Sequence, residues 1–161
     1  MTISFTTLSG KPLSIGTGTG TKWQWHKKGL PEEQKGKLVE ELVDQVVMSI
    51  ENGFRYIDTA DNYTTQPEVG EAIKRSGVPR EDIFLSTKYF PGLFYHELSE
   101  PIYGDGKGPL EILDKCLKEL KTDYLDLYLI HFPFFEFLNG YTLEAAWKEM
   151  VQALDEGKVR H

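Results

Sequence analysis

Apolar residues recur along this chain with two alternating periods, which predict an ordered series of helices and strands. The first helical stripe consists of apolar residues three or four positions apart: Val39, Leu42, Val43, Val46, Val47 and Ile50. Such spacing predicts an amphipathic helix, and Asn52 and Gly53 are typical of its end. The segment FRYID at 54–58 follows it and predicts a buried strand.

The same alternation continues over the rest of the chain. We predict a short helix at 67–76, a strand at 83–89 and a helix with an apolar stripe at 112–120. The segment YLDLYLIH at 124–131 is apolar over most of its length, as expected for a parallel strand covered on both faces. The apolar residues of a last helix, predicted to face the core, are Leu143, Ala146, Trp147, Met150, Val151 and Leu154. Gly157 then stands where a C-cap glycine is common.

Four βα units in this order predict an α/β protein with a parallel sheet, preceded by a hairpin around Ser9 and Gly10. Two architectures remain open on periodicity alone, an open doubly wound sheet and a (β/α)₈ barrel. Asp58, Lys88 and His131 each stand at the carboxyl end of a different strand. Convergence of three strand ends on one mouth favours the barrel.

The length fits only part of such a barrel. A (β/α)₈ barrel has about 250 residues, whereas this chain has 161. We therefore expect residues 1–161 to form the N-terminal half of a single TIM-barrel domain, with GKVRH beginning a fifth strand and the C-terminal half absent. Four strands alone would leave unpaired edges and uncovered apolar surface.

Composition excludes several classes of partner. The formal net charge is −7 and no cluster of Lys or Arg exceeds a short pair, which argues against nucleic acid and anionic membranes. The sequence has no apolar run of spanning length and no signal-peptide pattern at its N-terminus, so we expect a cytoplasmic protein. Cys116 lies on an apolar helical stripe, and we expect it to pack in the core.

Four side chains near the strand ends could together protonate a carbonyl oxygen. The phenol of Tyr63 is a weak acid, and a nearby ammonium such as that of Lys88 would lower its pKa. Asp58 could pair with that ammonium and keep it charged. A neutral His131 could donate an N–H and polarise the carbonyl. The attacking group would be a hydride, because the set offers neither a nucleophile nor metal-ligand spacing.

Each of these residues has a structural explanation when taken singly: a turn cap, a packing aromatic, a solvated strand end or a satisfied histidine. Their coincidence at three strand ends favours a site. The segments GFRYIDTADNYTTQPEVGEAI, STKY and YLDLYLIHFP resemble the signature segments of aldo-keto reductases, which are NAD(P)H-dependent carbonyl reductases with a (β/α)₈ fold. The resemblance runs from about Ser9 to the last residue. It implies a catalytic tetrad: Asp58, Tyr63, Lys88 and His131, with Tyr63 as general acid.

Finer features are similar to the fungal branch of this family, which reduces conjugated polyketones and α-keto amides: GTGTKW, DIFLSTKY, IHFPFF and GYTLEAAWKEM. The resemblance implies NADPH as cofactor and ketones, α-dicarbonyls or α-keto amides as substrates. The residues implied to border the nicotinamide are Gly18, Thr19 and Gly20, with Asp58 near the ribose. The residues implied to line the substrate pocket are Trp23, Tyr89 and Phe132. Relatives usually continue into an IGVSN-type fifth strand and later phosphate- and adenosine-binding loops, so this half alone is expected to be inactive without the missing half-barrel.

Rival interpretations stay beside this one. The glycine run at 16–21 lacks Walker and GxGxxG spacing, which favours a tight strand exit over a phosphate loop. The long segment at 90–109 is either a substrate-contacting lid or a surface insertion. A metal-dependent hydrolase would need a His-x-His pair or a set of strand-end carboxylates, and neither occurs around the histidines at 26, 96, 131 and 161. The chain could also be a catalytically silent fragment or a regulatory scaffold that keeps the fold.

Overall fold

The computed structural model describes residues 5–91, 108–132 and 141–161, and within them a single parallel sheet. Its strands are β1 (Gly16–Gly18), β2 (Tyr56–Asp58), β3 (Phe84–Tyr89) and β4 (Leu127–Ile130), and each pairs with the next in chain order. A doubly wound sheet would reverse its strand order at a switch point. The sequential order β1-β2-β3-β4 is that of consecutive barrel strands, so the predicted half barrel is confirmed.

Within the described ranges, five α-helices connect or follow these strands: α1 (Lys22–Lys28), α2 (Glu40–Glu51), α3 (Gln66–Ser76), α4 (Pro109–Leu120) and α5 (Leu143–Asp155). Helices α2 to α5 match the predicted ones within a few residues. The helix α1 was not predicted, because its sequence KWQWHKK has too few apolar positions to show a helical period. β1 is likewise shorter than a usual strand and consists of the first glycines of the run at 16–21.

The hydrophobic core lies between the helices and the outer face of the sheet. In parallel pairing, side chains of partnered residues share a face, and neighbours along a strand alternate between faces. Ile57 and Leu85 are partners on the helix-covered face, and both are fully buried. Asp58 and Ser86 are partners on the opposite face, which is the inner face of the barrel. The register therefore separates packing residues from candidate site residues.

Helices α2 and α4 bury the stripes that the sequence predicted. The fully buried residues of α2 are Leu42, Val43, Val46 and Ile50. Cys116 of α4 is also fully buried, and burial raises the pKa of its thiol. A buried thiol of raised pKa is a packing group and a poor nucleophile, as predicted.

The prediction for α5 is partly wrong. Ala146 and Met150 face the core together with Ala153, which the pattern analysis did not include. Four other apolar residues predicted to be buried are 41–60% exposed: Leu143, Trp147, Val151 and Leu154. These four lie on a neighbouring face of the helix, and the described part of the chain does not cover it. Periodicity identified an apolar helix but could not tell which of its two stripes meets the sheet.

The inner face at β4 is also more open than the sequence indicated, since Leu129 is 38% exposed. On the edge of β4, the segment after α5 pairs in parallel through Leu125 and Val159. The Leu125 N–H donates to the Lys158 carbonyl at 2.9 Å, and the Tyr128 N–H donates to the His161 carbonyl at 3.0 Å. The predicted beginning of a fifth strand is therefore present as a short parallel pairing.

Before the sheet, the predicted hairpin is reduced to one antiparallel bridge between Thr6 and Pro12. Gly10 turns the chain with φ of 86°. Residues 1–4 of this prediction lie outside the described residues, as does most of the proposed lid at 90–109.

Candidate active site

An ion pair at the carboxyl ends of β2 and β3 forms the centre of the site. The Lys88 Nζ lies 2.6 Å from Asp58 Oδ1 and donates to the Thr59 carbonyl at 2.7 Å. The side chains of Lys88 and Asp58 are 14% and 30% exposed. Because β2 and β3 are adjacent and in register, these two residues meet across the strand pair. The predicted contact between them is thus present.

Two further hydroxyl groups support Asp58 and were not singled out from the sequence. The Ser86 hydroxyl donates to Asp58 Oδ2 at 2.8 Å, and the Tyr56 hydroxyl donates to the same oxygen at 3.4 Å. Both residues lie on the inner face by strand alternation. The alternating polar positions in YID and FLSTKY could have indicated Ser86, since it stands two residues before Lys88.

Tyr63 reaches the ion pair from the loop after β2. It ends a 3₁₀ turn (Asp61–Tyr63), and the Lys88 Nζ stands 5.2 Å from the centroid of its ring. Gly20 packs directly on the other side: a Cβ at this position would lie 2.9 Å from a Tyr63 ring carbon and 3.3 Å from the phenol oxygen. A residue larger than glycine would therefore displace the phenol.

The pKa of Tyr63 is raised, contrary to the sequence-based expectation that Lys88 would lower it. Burial is the main cause, and the negative charges of Asp58 and Asp61 raise the pKa further. The carboxylate of Asp58 stands beside the ammonium of Lys88 and offsets its charge. In this state the phenol keeps its proton at neutral pH.

His131 follows β4 and joins the same cluster. Its backbone N–H donates to the Tyr89 carbonyl at 2.8 Å, and its ring lies edge-on to Tyr63 at a centroid distance of 5.6 Å. Burial, and then the positive charge of Lys88, lower the pKa of His131 to about 4, while the charge of Asp58 opposes this shift. The imidazole is neutral at pH 7, as predicted. Its Nδ1 is buried and has no hydrogen-bond partner among the described residues.

The residues implied to border a nicotinamide differ in their exposure to solvent. Gly18 is exposed at the end of β1, beside Asp58 in the register. Thr19 is fully buried, and its hydroxyl donates to Thr59 Oγ1 at 2.9 Å. Its backbone N–H also donates to the Asp58 carbonyl, at 3.1 Å. Of these three residues, Gly18 is exposed and Gly20, beside the Tyr63 ring, is half-buried.

The three predicted pocket residues are not equivalent. Phe132 is 40% exposed and stacks on His131 at 4.9 Å between ring centroids. Tyr89 is 1% exposed and belongs to the core, because it follows Lys88 and projects to the opposite face of β3. Trp23 is 6% exposed, and its indole N–H donates to Gln45 Oε1 at 3.0 Å. Of the three, only Phe132 is exposed, and their role as pocket residues stays a prediction.

A search of the described residues finds no group of three or more His, Cys, Asp or Glu side chains that could hold a metal ion. The same residues include no helix of the length and apolarity needed to cross a membrane.

Comparison with known proteins gives one consistent result. The aldo/keto reductase family matches residues 12–161. The NADPH-dependent alpha-keto amide reductase of Saccharomyces cerevisiae is 40% identical over 149 residues, which are 91% of this chain and 42% of that protein. The methylglyoxal reductase DkgA of Salmonella typhimurium is 37% identical over 121 residues, covering 75% of this chain and 38% of that protein.

Among solved structures, the aldo-keto reductase of Bombyx mori in complex with NADP superposes with a TM-score of 0.67 at 27% identity. The match covers 99% of this chain and 50% of that one. The chain spans less than half the length of the two curated relatives above. With a family match over nearly its whole length and a sheet of consecutive barrel strands, this chain belongs to the aldo/keto reductase family.

Proposed function

We propose that this chain contributes the proton-donating half of an NADPH-dependent carbonyl reductase, which converts ketones, α-dicarbonyls or α-keto amides to alcohols with Tyr63 as general acid. One observation carries the proposal: the Lys88 ammonium, held by Asp58 and the Thr59 carbonyl, stands 5.2 Å from the centroid of the Tyr63 ring. The names of the similar yeast and Salmonella enzymes support NADPH and small carbonyl substrates.

In this proposal His131 orients the substrate. With the pKa lowered to about 4, its imidazole is neutral and carries a single N–H donor. A neutral donor polarises a carbonyl oxygen without giving up its proton too early. The ring stands edge-on to Tyr63, so one oxygen atom between them can accept hydrogen bonds from both side chains.

Tyr63 supplies the proton. Its raised pKa keeps the phenol protonated while substrate binds. When negative charge develops on the carbonyl oxygen, the proton moves from the phenol to that oxygen. The phenolate left behind is then stabilised by the Lys88 ammonium, whose position Asp58 fixes. Lys88 thus acts on the product of proton transfer more than on the resting phenol.

The residues present fit the nicotinamide end of the cofactor. The exposed Gly18, the half-buried Gly20 and the partly exposed Asp58 would hold it beside Tyr63. NADPH, when bound, supplies the hydride. Phe132 would give one apolar wall against a small organic substrate, and Trp23 and Tyr89 would support that wall from the core. The proposal includes a small-molecule carbonyl substrate and a cytoplasmic location. It also requires the rest of the barrel to complete the cofactor site.

The test combines binding and turnover. NADPH fluorescence would be titrated with the 161-residue chain and, if the coding sequence continues past His161, with the longer product. Oxidation of NADPH by an α-diketone and an α-keto amide would then be followed in both. We expect reduction by a protein that contains the whole barrel. Cofactor binding without reduction of either substrate class would overturn the proposal.

A second candidate is a catalytically silent scaffold that keeps the fold. Absence of any NADPH binding by the 161-residue chain, together with a cooperative unfolding transition, would support this candidate.

A further inference from the structure

Asp61 is a buried carboxylate that connects two parts of the candidate site. It begins the 3₁₀ turn that carries Tyr63 and is 1% exposed. Its Oδ1 accepts the Asn62 N–H at 2.5 Å, and its Oδ2 accepts the Phe90 N–H at 3.0 Å. The first bond shapes the turn, and the second ties the turn to the end of β3.

Phe90 extends this connection to His131. The centroids of these two rings lie 6.0 Å apart, and the His131 N–H is bonded to the carbonyl of the preceding residue, Tyr89. His131 in turn contacts Tyr63 edge-on. A closed circuit of contacts thus runs from Tyr63 through Asp61 and Phe90 to His131 and back to Tyr63. Asp61 supplies its only charged member.

Asp61 lines a cavity of about 220 Å³ that lies between α1, the loop at 35–38, the loop after β2 and α4. That volume is enough for several water molecules. The charged residues that line the cavity with Asp61 are Lys27, Lys35, Lys37, Lys115 and Glu119. Other titratable groups that interact with Asp61 are Lys28 of α1, Tyr63, Tyr89 and Cys116.

Burial is the main cause that raises the pKa of Asp61, to about 7. The N–H donors of Phe90 and Asn62 and the charge of Lys115 oppose the shift, whereas the charge of Glu119 adds to it. The carboxyl group therefore changes charge within the physiological range. An ionised carboxylate accepts hydrogen bonds more strongly than a neutral acid does.

We propose that Asp61 is a positioning residue: its carboxylate holds the turn that carries Tyr63 against the end of β3 and against His131, and its protonation weakens that hold. The inference rests on the proposed function only in taking Tyr63 and His131 as active-site residues. The hold itself is a property of the chain that can be measured without turnover.

The test follows the Phe90 and Asn62 amide resonances and the Tyr63 ring resonances of the chain by NMR between pH 5.5 and 8.5. We expect all three to shift together with a midpoint near pH 7, and Asp61→Asn to abolish the titration. Glu119→Gln should keep the titration but lower its midpoint, because it removes a negative charge that favours the protonated acid. Glu119→Gln also serves if Asp61→Asn does not fold.

Two results would overturn the inference: a Phe90 amide that does not titrate in this range, or a midpoint that Glu119→Gln leaves unchanged. A turnover measurement then separates it from the proposed function. In a protein active as a reductase, Asp61→Asn should lower kcat about 10- to 100-fold above pH 7 without changing NADPH affinity. The difference from the parent protein should shrink below pH 7, because Asp61 is then protonated in the parent as well. If the amides titrate as expected but no form reduces a carbonyl, the hold stands and the proposed function fails.

Discussion

The two ends of the sheet each carry an aspartate paired with cations, and the two clusters are built differently. At the amino ends of the strands, Asp126 is fully buried between Arg80, at 2.9 Å, and Arg160, at 2.5 Å. At the carboxyl ends, Asp58 pairs with a single cation, Lys88, and both side chains keep part of their surface exposed. We call these the base cluster and the mouth cluster.

In the base cluster, Asp126 and Arg80 also form hydrogen bonds with backbone groups. Asp126 Oδ2 also accepts the Leu85 N–H at 3.0 Å, and Arg80 donates to the Ile83 carbonyl at 2.7 Å and to the Tyr124 carbonyl at 3.0 Å. A planar guanidinium suits such multiple fixed bonds. The arrangement joins β3, β4 and the segment after α5. Its aspartate is fully buried, while the side chains of Arg80 and Arg160 are 18% and 24% exposed.

The mouth cluster uses a lysine, which concentrates its charge at one atom. That atom has two protein acceptors and lies above the ring of Tyr63. The difference shows that an ion pair in a barrel is not by itself evidence of a catalytic site. A partly exposed aspartate whose cation lies beside a proton donor favours catalysis, whereas a fully buried aspartate held by two cations favours stability.

The sharpest way to break this comparison is to remove the phenol oxygen. Tyr63→Phe should lower carbonyl reduction about 10²- to 10⁴-fold in an active form, because it removes the hydroxyl proposed to donate the proton. NADPH affinity and the free energy of unfolding should change little. The assay is NADPH oxidation with a diketone. The matched control at the base is Tyr124→Phe, whose hydroxyl makes a 3.4 Å bond to the Arg80 carbonyl; it should leave turnover intact. Equal turnover in both variants would refute the role given to the mouth.

The next prediction compares how much the two aspartates contribute to the free energy of unfolding. Asp126→Asn should lower the free energy of unfolding by about 3–5 kcal/mol, because it leaves two arginines without their buried counter-charge. Asp58→Asn should lower it by only about 1 kcal/mol, since Asp58 is itself 30% exposed and Lys88 keeps the Thr59 carbonyl as an acceptor. Urea denaturation of the two variants measures both changes in the free energy of unfolding. A larger loss in Asp58→Asn than in Asp126→Asn would reverse the assignment of the two clusters.

A smaller effect is expected from the hydroxyl that supports the mouth. Ser86→Ala removes the 2.8 Å hydrogen bond to Asp58 and should lower the free energy of unfolding by about 1 kcal/mol. The control is Ser49→Ala, which removes a hydroxyl bonded to the Gln45 carbonyl within α2 and lies far from both clusters. Equal losses would mean that Ser86 contributes nothing specific to the site.

The smallest expected effect concerns His131, whose imidazole should not titrate near neutral pH. The His131 ring resonances should titrate with a midpoint near pH 4, and Lys88→Met should raise that midpoint by removing a positive charge. Because the pKa of His131 is lowered on folding, its contribution to stability is lost as the pH falls from about 6.5 towards 4. NMR of labelled histidine measures the midpoint, and a value near 6.5 would contradict the buried, neutral imidazole.

The sequence predicted the parts of the fold that local pattern controls. The stripes of α2 and α4 and the strand β3 have a clear period, and the cluster of Asp58, Lys88 and His131 follows from their places at strand ends. The buried stripe of α5 could not be chosen, because two apolar stripes lie side by side and only packing against the sheet separates them. The burial of Tyr89 on the helix-covered face was not predicted, although strand alternation from Lys88 indicates it.

Interactions between distant residues were the least predictable. Asp126 and Arg80 are 46 positions apart, and Asp126 and Arg160 are 34 apart. No local period connects them, although a charged residue inside the apolar run YLDLYLIH was a signal that Asp126 needed a partner. Asp61 is likewise evident as an acidic residue in the segment DTADNY. Its hydrogen bond to the Phe90 N–H could not be predicted, because it depends on how β2 and β3 are aligned.

The contact between Gly20 and the Tyr63 ring has a consequence for how this protein can evolve. The backbone of residue 20 does not require the left-handed conformations reserved for glycine, so the constraint comes from the neighbouring ring alone. A library randomised at position 20 should therefore return glycine when selected for turnover, yet accept alanine or serine when selected only for solubility. Diversity at this one codon would distinguish lineages that still use the phenol from lineages that have abandoned it.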